Sequence, residues 1–272
     1  MIIEWNRHMF STDLKAYPFH PRRFYTPPDD WVTTTDPLGD YLKSMDELGI
    51  DYGVLVHPEP YGDDHRMVLE CLDREPDRFL ATSLFFPRDD DAVTKLRALV
   101  KQQPKIISTR FHTPGYSDHY FSSFQESGVR ALWKAAGELG LIIELHLTPQ
   151  FARETAQMAQ EFPDFTILLD HIAEPGMGNA VDYVDILRLS EYDNVYMKLS
   201  GLNHVSTAAP YFEDLKPFTR NIIDAFGPDR LVWGSGHPDI VDIHMEGYSE
   251  TDRAKVKGGN LYEMLPFPRK GA

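Results

Sequence analysis

Cysteine is nearly absent from this chain. A single one, Cys71, stands among 272 residues, which excludes an internal disulfide and a cysteine-rich metal cluster. It lies in "RMVLECLDREP", where a buried helical position is expected. Cations are scarce as well: 27 Lys and Arg against 42 Asp and Glu leave a net charge of -15. A phosphate backbone is bound by clustered Lys and Arg, so nucleic acid is not expected as a partner. A local basic pocket for a small anion is still compatible with an acidic exterior. No apolar run approaches the length of a membrane span. The opening "MIIEWNRHMF" has no basic segment leading into an apolar stretch, so no signal peptide is expected and a cytoplasmic location is. What is present is an ordinary soluble composition, with 42% hydrophobic residues, enough to bury one sizeable core.

Short β-rich runs alternate with amphipathic segments along the whole chain. The runs are "MIIEWNRH" (1–8), "YGVLVHPE" (52–59), "FLATSLFFP" (79–87), "KIISTRFHT" (105–113), "LIIELHLTP" (141–149), "FTILLDHIAEP" (165–175), "NVYMKLSGLNH" (194–204) and "RLVWGSGHPD" (230–239). Helical patterns lie between them. "DPLGDYLKSMDELGI" opens on an Asp cap with Pro at the first helical position and closes on Gly49. "DAVTKLRALVKQQP" and "VRALWKAAGELG" space their apolar residues at three and four. Eight strands alternating with eight helices predict an α/β fold, a (β/α)₈ TIM-like barrel in a single domain over 1–272. An open doubly wound sheet uses the same alternation, but no Gly-rich phosphate turn follows the first strand. One connection is long, residues 9–35, rich in Pro and aromatics. It is either a lid or a segment packed across the barrel mouth.

In such a barrel the chemistry gathers at the carboxyl ends of the strands. His8, His57, His112, His146, His171, His204 and His237 all fall at or just past a predicted strand end. A single histidine there would read as a satisfied structural residue; seven on one face point to a site. Residues two apart share a face of a strand, so Glu4 and Asn6 go with His8, Ser108 and Arg110 with His112, and Glu144 with His146. A carboxylate inside a barrel needs a partner, and Lys198 in "YMKLSG" is the candidate. A structural ion pair below the site and a direct role are both open for Glu4 and Lys198.

These residues resemble the amidohydrolase-related family of the amidohydrolase superfamily, in the branch of 2-pyrone-4,6-dicarboxylate lactonase and related sugar and muconolactone lactonases. The family's opening Asp-x-His-x-His is met by Glu4-Trp5-Asn6-Arg7-His8, and its fifth-strand His by His146. Its Asp-His followed by Pro is met by Asp170, His171 and Pro175, and its "KLSG" by Lys198 to Gly201. Its "GSDxP" is met by "GSGHP", and its closing Gly-Asn by Gly259 and Asn260. The likeness runs over nearly the whole chain. Two positions depart from it: Asn6 stands for the first histidine, and Gly236 for the aspartate that takes a proton from the attacking water.

The resemblance implies an amidohydrolase-type hydrolase that opens a lactone of a small carboxylated substrate. Arg110 would bind the carboxylate, with Lys198, His57, His112 and Asn6 as further substrate contacts. His8, His146 and His171 would polarise the carbonyl. With Gly236 in place of the aspartate, the base is sought among Asp239, His237, Glu144 and His171. Arg22 and Arg23 either close over the anion or are solvated charges. No essential cofactor is expected, because the branch includes a metal-independent enzyme. Zn²⁺ or Mn²⁺, if bound, would sit on His8, His146 and His171, with Glu4 adding an oxygen. The alternatives are a metal-dependent decarboxylase of an aromatic acid and a non-catalytic binder of small acids. A homo-oligomer is compatible with all three.

Overall fold

The structure is a computed structural model and describes residues 1–113 and 120–268. Eight parallel strands follow one another in chain order, each hydrogen-bonded to the next. They are β1 (Ile3–Arg7), β2 (Tyr52–Leu55), β3 (Phe79–Leu84), β4 (Ile106–His112), β5 (Ile142–His146), β6 (Ile167–Leu169), β7 (Val195–Leu199) and β8 (Leu231–Trp233). The last strand returns beside the first, so the sheet is a nearly closed (β/α)₈ barrel. A doubly wound sheet would reverse its strand order at a switch point, and this one never does.

The outer ring is made by α1 (Pro37–Leu48), α2 (Arg66–Arg74), α3 (Ala92–Gln102), α4 (Ser127–Glu138), α5 (Ala152–Glu161), α6 (Ala180–Arg188) and α7 (Lys216–Phe226). Short helices α8 (Asp239–His244), α9 (Glu250–Ala254) and α10 (Asn260–Met264) complete it. The ends of α1 form as its residues dictate. Asp36 accepts from the Gly39 N–H at 3.1 Å, Pro37 occupies the first turn, and Gly49 closes the helix in the left-handed conformation. Cys71 is buried on α2, and burial pushes its thiol up to about 12. The closing Gly-Asn is structural. The Asn260 amide donates to the carbonyls of Pro228 and Leu231, at 2.7 and 2.8 Å, and so ties α10 to the foot of β8. Among the described residues no helix is long and apolar enough to cross a membrane.

The strands are shorter than the runs that announced them. Only Leu231–Trp233 of "RLVWGSGHPD" and Ile167–Leu169 of "FTILLDHIAEP" pair in the sheet. The remainder of each run bends away as loop, and that is where the polar side chains sit. The interior is layered. At the bottom an apolar plug holds Ile3, Trp5, Val54, Leu80, Leu168 and Val232. Above it lie Glu144, Lys198, Asp170 and Arg110, all buried. Histidines form the top.

Candidate active site

A bulge in β1 sets the geometry of the first wall. The register with β2 shifts between Trp5 and Arg7, leaving Asn6 as the extra residue. Trp5 therefore points inward, where its indole N–H donates to Glu144 Oε1 at 3.1 Å. Glu4 faces the other way and accepts from the Tyr41 hydroxyl on α1. Simple alternation, which put Glu4 on the face of His8, is corrected by this one inserted residue. Beyond the bulge, His8 returns to the interior and donates through Nδ1 to the Val56 carbonyl at 2.9 Å.

Strands β4 and β5 keep regular register, with Arg110 beside Glu144 and His112 beside His146. Below the mouth, charged side chains pack in direct contact. Lys198 Nζ lies 2.6 Å from Glu144 Oε1 and 2.5 Å from Asp170 Oδ1. Arg110 reaches Asp170 Oδ2 at 2.6 Å. Burial alone would raise Asp170, but Arg110 and Lys198 hold its carboxyl well below the usual range. Glu144 is pushed up by burial and by the charge of Asp170.

The mouth is a chamber of about 820 Å³. Its floor holds Asn6, His8, Arg110, His112, His146 and His171; Phe24, Tyr25 and Trp31 of the long first loop and Met177 form its outer wall. Arg22 of that loop does not line it. Its guanidinium pairs with Asp89 at 2.5 Å and lies over the Phe86 ring, pinning the loop to the barrel. Burial and the nearby Arg110 charge keep His8, His112 and His146 well below their ordinary range, His8 at about 3. These imidazoles are neutral at pH 7.

The loop after β6 is the most unusual backbone in the molecule. His171, Ile172, Ala173 and Glu174 all have positive φ, between 45° and 57°. Four successive L-residues in the left-handed region form a left-handed turn, each at a cost of roughly 1–2 kcal/mol. One such turn brings its first and fourth side chains near each other, with ligand atoms within 4.8 Å. His171 points into the chamber, its Nδ1 bonded to Ser200 Oγ at 3.0 Å. Glu174 lies behind the chamber wall, 2% exposed, and accepts from His146 Nε2 and His204 Nδ1, both at 2.9 Å. Gly201 of the "KLSG" segment makes room for this turn. Its φ is +68°, and a Cβ there would meet His171 Cβ at 2.5 Å.

Several expected site residues lie elsewhere. Lys198 and Glu144 are fully buried in the ionic layer beneath the chamber. His57 is buried against His65, with Nε2 on the Gly62 carbonyl at 2.8 Å. His237 and Asp239 pair with each other at 3.4 Å on the solvent side of the eighth-strand loop, because Gly236, at φ +90°, turns the chain away after Ser235. Conversely, Glu174 and Glu59 carried no signal in the sequence. Glu59 lines the chamber and accepts from Tyr120 Oη at 2.8 Å and the Phe24 N–H at 2.7 Å. Glu174 could have been noticed from its place three residues beyond His171, but only if the turn's handedness were known.

For a metal, the family's ligand set is broken at Asn6 and Gly236. Among the described residues, the side chains whose ligand atoms lie within 4.8 Å of one another are His146, His171 and Glu174. His8 and Glu4 are not in that group. Two neutral imidazoles and one carboxylate are a donor set suited to a divalent ion with an open position.

A nearly closed barrel with a histidine-lined mouth and an ionic layer beneath defines an enzyme scaffold of the amidohydrolase type. A family model described as "Amidohydrolase" matches residues 4–267, and the chain belongs to that family. It is 29% identical over 263 residues to the 4-sulfomuconolactone hydrolase of Hydrogenophaga intermedia, covering 96% of this chain and 80% of that one. It is 28% identical over 269 residues to the 4-sulfomuconolactone hydrolase of Rhizobium radiobacter, covering 97% and 83%. In fold it is similar to the crystal structure of a putative 2-pyrone-4,6-dicarboxylic acid hydrolase from Pseudomonas putida, with a TM-score of 0.78 at 21% identity over 99% of this chain and 98% of that one.

Proposed function

We propose that this chain is a hydrolase that opens the lactone ring of a small carboxylated substrate, and that His204 is its base. The observation that carries the reading is the buried Glu174 carboxylate holding His204 by Nδ1. That bond fixes the tautomer and leaves Nε2, on a side chain 39% exposed at the chamber wall, as the lone-pair nitrogen. A carboxylate behind an imidazole also stabilises the imidazolium that forms when it takes a proton. The two relatives named as lactone hydrolases support the substrate class.

In this scheme His204 Nε2 takes a proton from water, and the hydroxide adds to the lactone carbonyl carbon. The tetrahedral oxyanion is met by the Nδ2 hydrogens of the Asn6 amide, which lines the chamber. The ring C–O bond then breaks and the ring oxygen recovers the proton from His204, giving a hydroxy acid. Arg110 orients the substrate carboxylate. Two of its nitrogens are already given to Asp170, so it offers one edge of the guanidinium and a partly neutralised charge. His112 and His8 shape the floor as neutral imidazoles.

A divalent ion, where bound, would be held by His146, His171 and Glu174 and would supply Lewis-acid polarisation. It would draw on the carboxylate that serves His146 and His204, so metal is non-essential in this mechanism. The single buried thiol suits a reducing cytoplasm.

The test is proton release from a panel of carboxylated lactones, muconolactone among them. Glu174→Gln and His204→Asn are expected to lower kcat by roughly 10²–10⁴-fold, the usual worth of a positioned base, with smaller changes in KM. Turnover unaffected by His204→Asn would remove it from the mechanism.

A further inference from the structure

The chamber is larger and more divided than a bare lactone acid needs. About 820 Å³ lies toward the upper end of the range of roughly 300–1,000 Å³ that suits drug-sized ligands; a lactone acid has about a dozen heavy atoms. Its polar groups gather on the floor, at the ends of β1, β4, β5 and β6, on the side that carries Asn203 and His204, and at Glu59 beneath the Phe24 backbone. Its outer wall is apolar and open to solvent: Phe24 is 46% exposed, Trp31 52% and Met177 46%. Three of the eight large hydrophobic side chains exposed among the described residues therefore border this one cavity. Isolated exposed apolar residues need no explanation, but three that border one polar site do.

Trp31 and the backbone of the loop that carries it are held in place. Tyr25 and Trp31 meet edge to face at 6.3 Å, and Phe10 and Tyr61 continue the aromatic stack behind Trp31. The backbone that carries them is tied down by the Phe24 N–H on Glu59, by the His20 N–H on the Pro60 carbonyl at 2.7 Å, and by the Arg22–Asp89 pair. Met177 borders the same chamber from the loop that follows the left-handed turn. A thioether and aromatic edges around one opening suit the faces and edges of a flat ring. A carboxylate or sugar hydroxyl set against Phe24, Trp31 and Met177 would meet no charge and no amide on those three side chains.

We infer that the substrate is a lactone acid bearing an aryl arm, with the lactone on the polar floor and the arm between Trp31 and Met177. This rests on the lactone-hydrolase reading for the floor, whereas the arm's seat rests on the rim alone. The two are separable by using lactams, which occupy the floor without being opened.

The experiment is titration calorimetry of the full chain with a pyrrolidinone carboxylate and with its phenyl-substituted derivative. Burial of one phenyl ring is expected to tighten binding at least tenfold. Trp31→Ala and, independently from the loop after the left-handed turn, Met177→Ala are expected to shrink that ratio several-fold. Equal affinity of the two lactams overturns the inference, as does a ratio unmoved by both variants. In parallel, phenyl-substituted and bare lactone acids are offered for hydrolysis. Failure to hydrolyse either, with the phenyl preference in the lactams intact, would count against the proposed chemistry and leave the aryl seat standing.

Discussion

Glu4→Gln is expected to make the protein more stable at alkaline pH and to leave it nearly unchanged at pH 4. Glu4 is turned out of the barrel interior by the β1 bulge and buried against α1. Burial raises its carboxyl from 4.5 to about 7, against the lowering pull of the Tyr41 hydroxyl and the Arg7 charge. The folded state therefore holds a proton that the unfolded state has released between those values. The contribution of Glu4 to stability is greatest below pH 4.5, falls as pH rises through the window up to about 7, and stays lower above it. A rise of that size corresponds to about 3 kcal/mol. Glutamine keeps an oxygen for Tyr41 and has no charge to desolvate, so it should lack this loss.

The assay is denaturant unfolding of both proteins at pH 4.5, 6 and 8. The difference between variant and parent should grow in the variant's favour by about 2–3 kcal/mol from the lowest pH to the highest. In melting temperature that is several degrees for a domain of this size. A difference that stays constant with pH would show that Glu4 is ionised and paired in the fold, and the outward placement of its carboxylate would have to be given up.

Lys198→Met should destabilise by about 3–5 kcal/mol, because it strands Glu144 and Asp170 as buried carboxylates without their shared cation; chemical denaturation reads this directly. Gly236→Asp should cost roughly 1–3 kcal/mol through its φ of +90° and should also push Ile240 Cδ1, which a Cβ would meet at 2.7 Å. An unchanged midpoint would mean that the eighth-strand loop adapts easily. Elemental analysis scored against subunit concentration decides the metal question. Any stoichiometric divalent ion should be lost in both His171→Ala and Glu174→Ala, and retention in both would move its seat away from the left-handed turn.

Much of the barrel was legible because its signals are local. The Asp36–Pro37 opening and Gly49 close of α1 depend on nothing outside the helix, and strand parity correctly stacked Arg110 with His112 and Glu144 with His146. Lys198 was recognisable as the partner of an interior carboxylate because a buried Glu144 requires one. What failed was whatever depended on a single departure from regular geometry. One bulged residue reversed Glu4, and one glycine at φ +90° carried His237 and Asp239 out to solvent.

The left-handed turn shows the same limit from the other side. "HIAEP" has no glycine and no asparagine, the residues that ordinarily announce positive φ, so nothing local marks it. Four residues hold an unfavourable conformation because the surroundings compensate: Ser200 fixes His171, Gly201 clears its Cβ, the Tyr183 hydroxyl donates to the Ile172 carbonyl at 2.6 Å, and two imidazoles bind Glu174. Strain that is over-determined in this way and lies at the rim of a polar chamber is characteristic of functional positions. Under the proposed function it also accounts for the absence of the eighth-strand aspartate. A carboxylate contributed from the sixth-strand loop, on the neighbouring wall, can hold a histidine in the role of base, so the acid lost at Gly236 need not be replaced where it was lost.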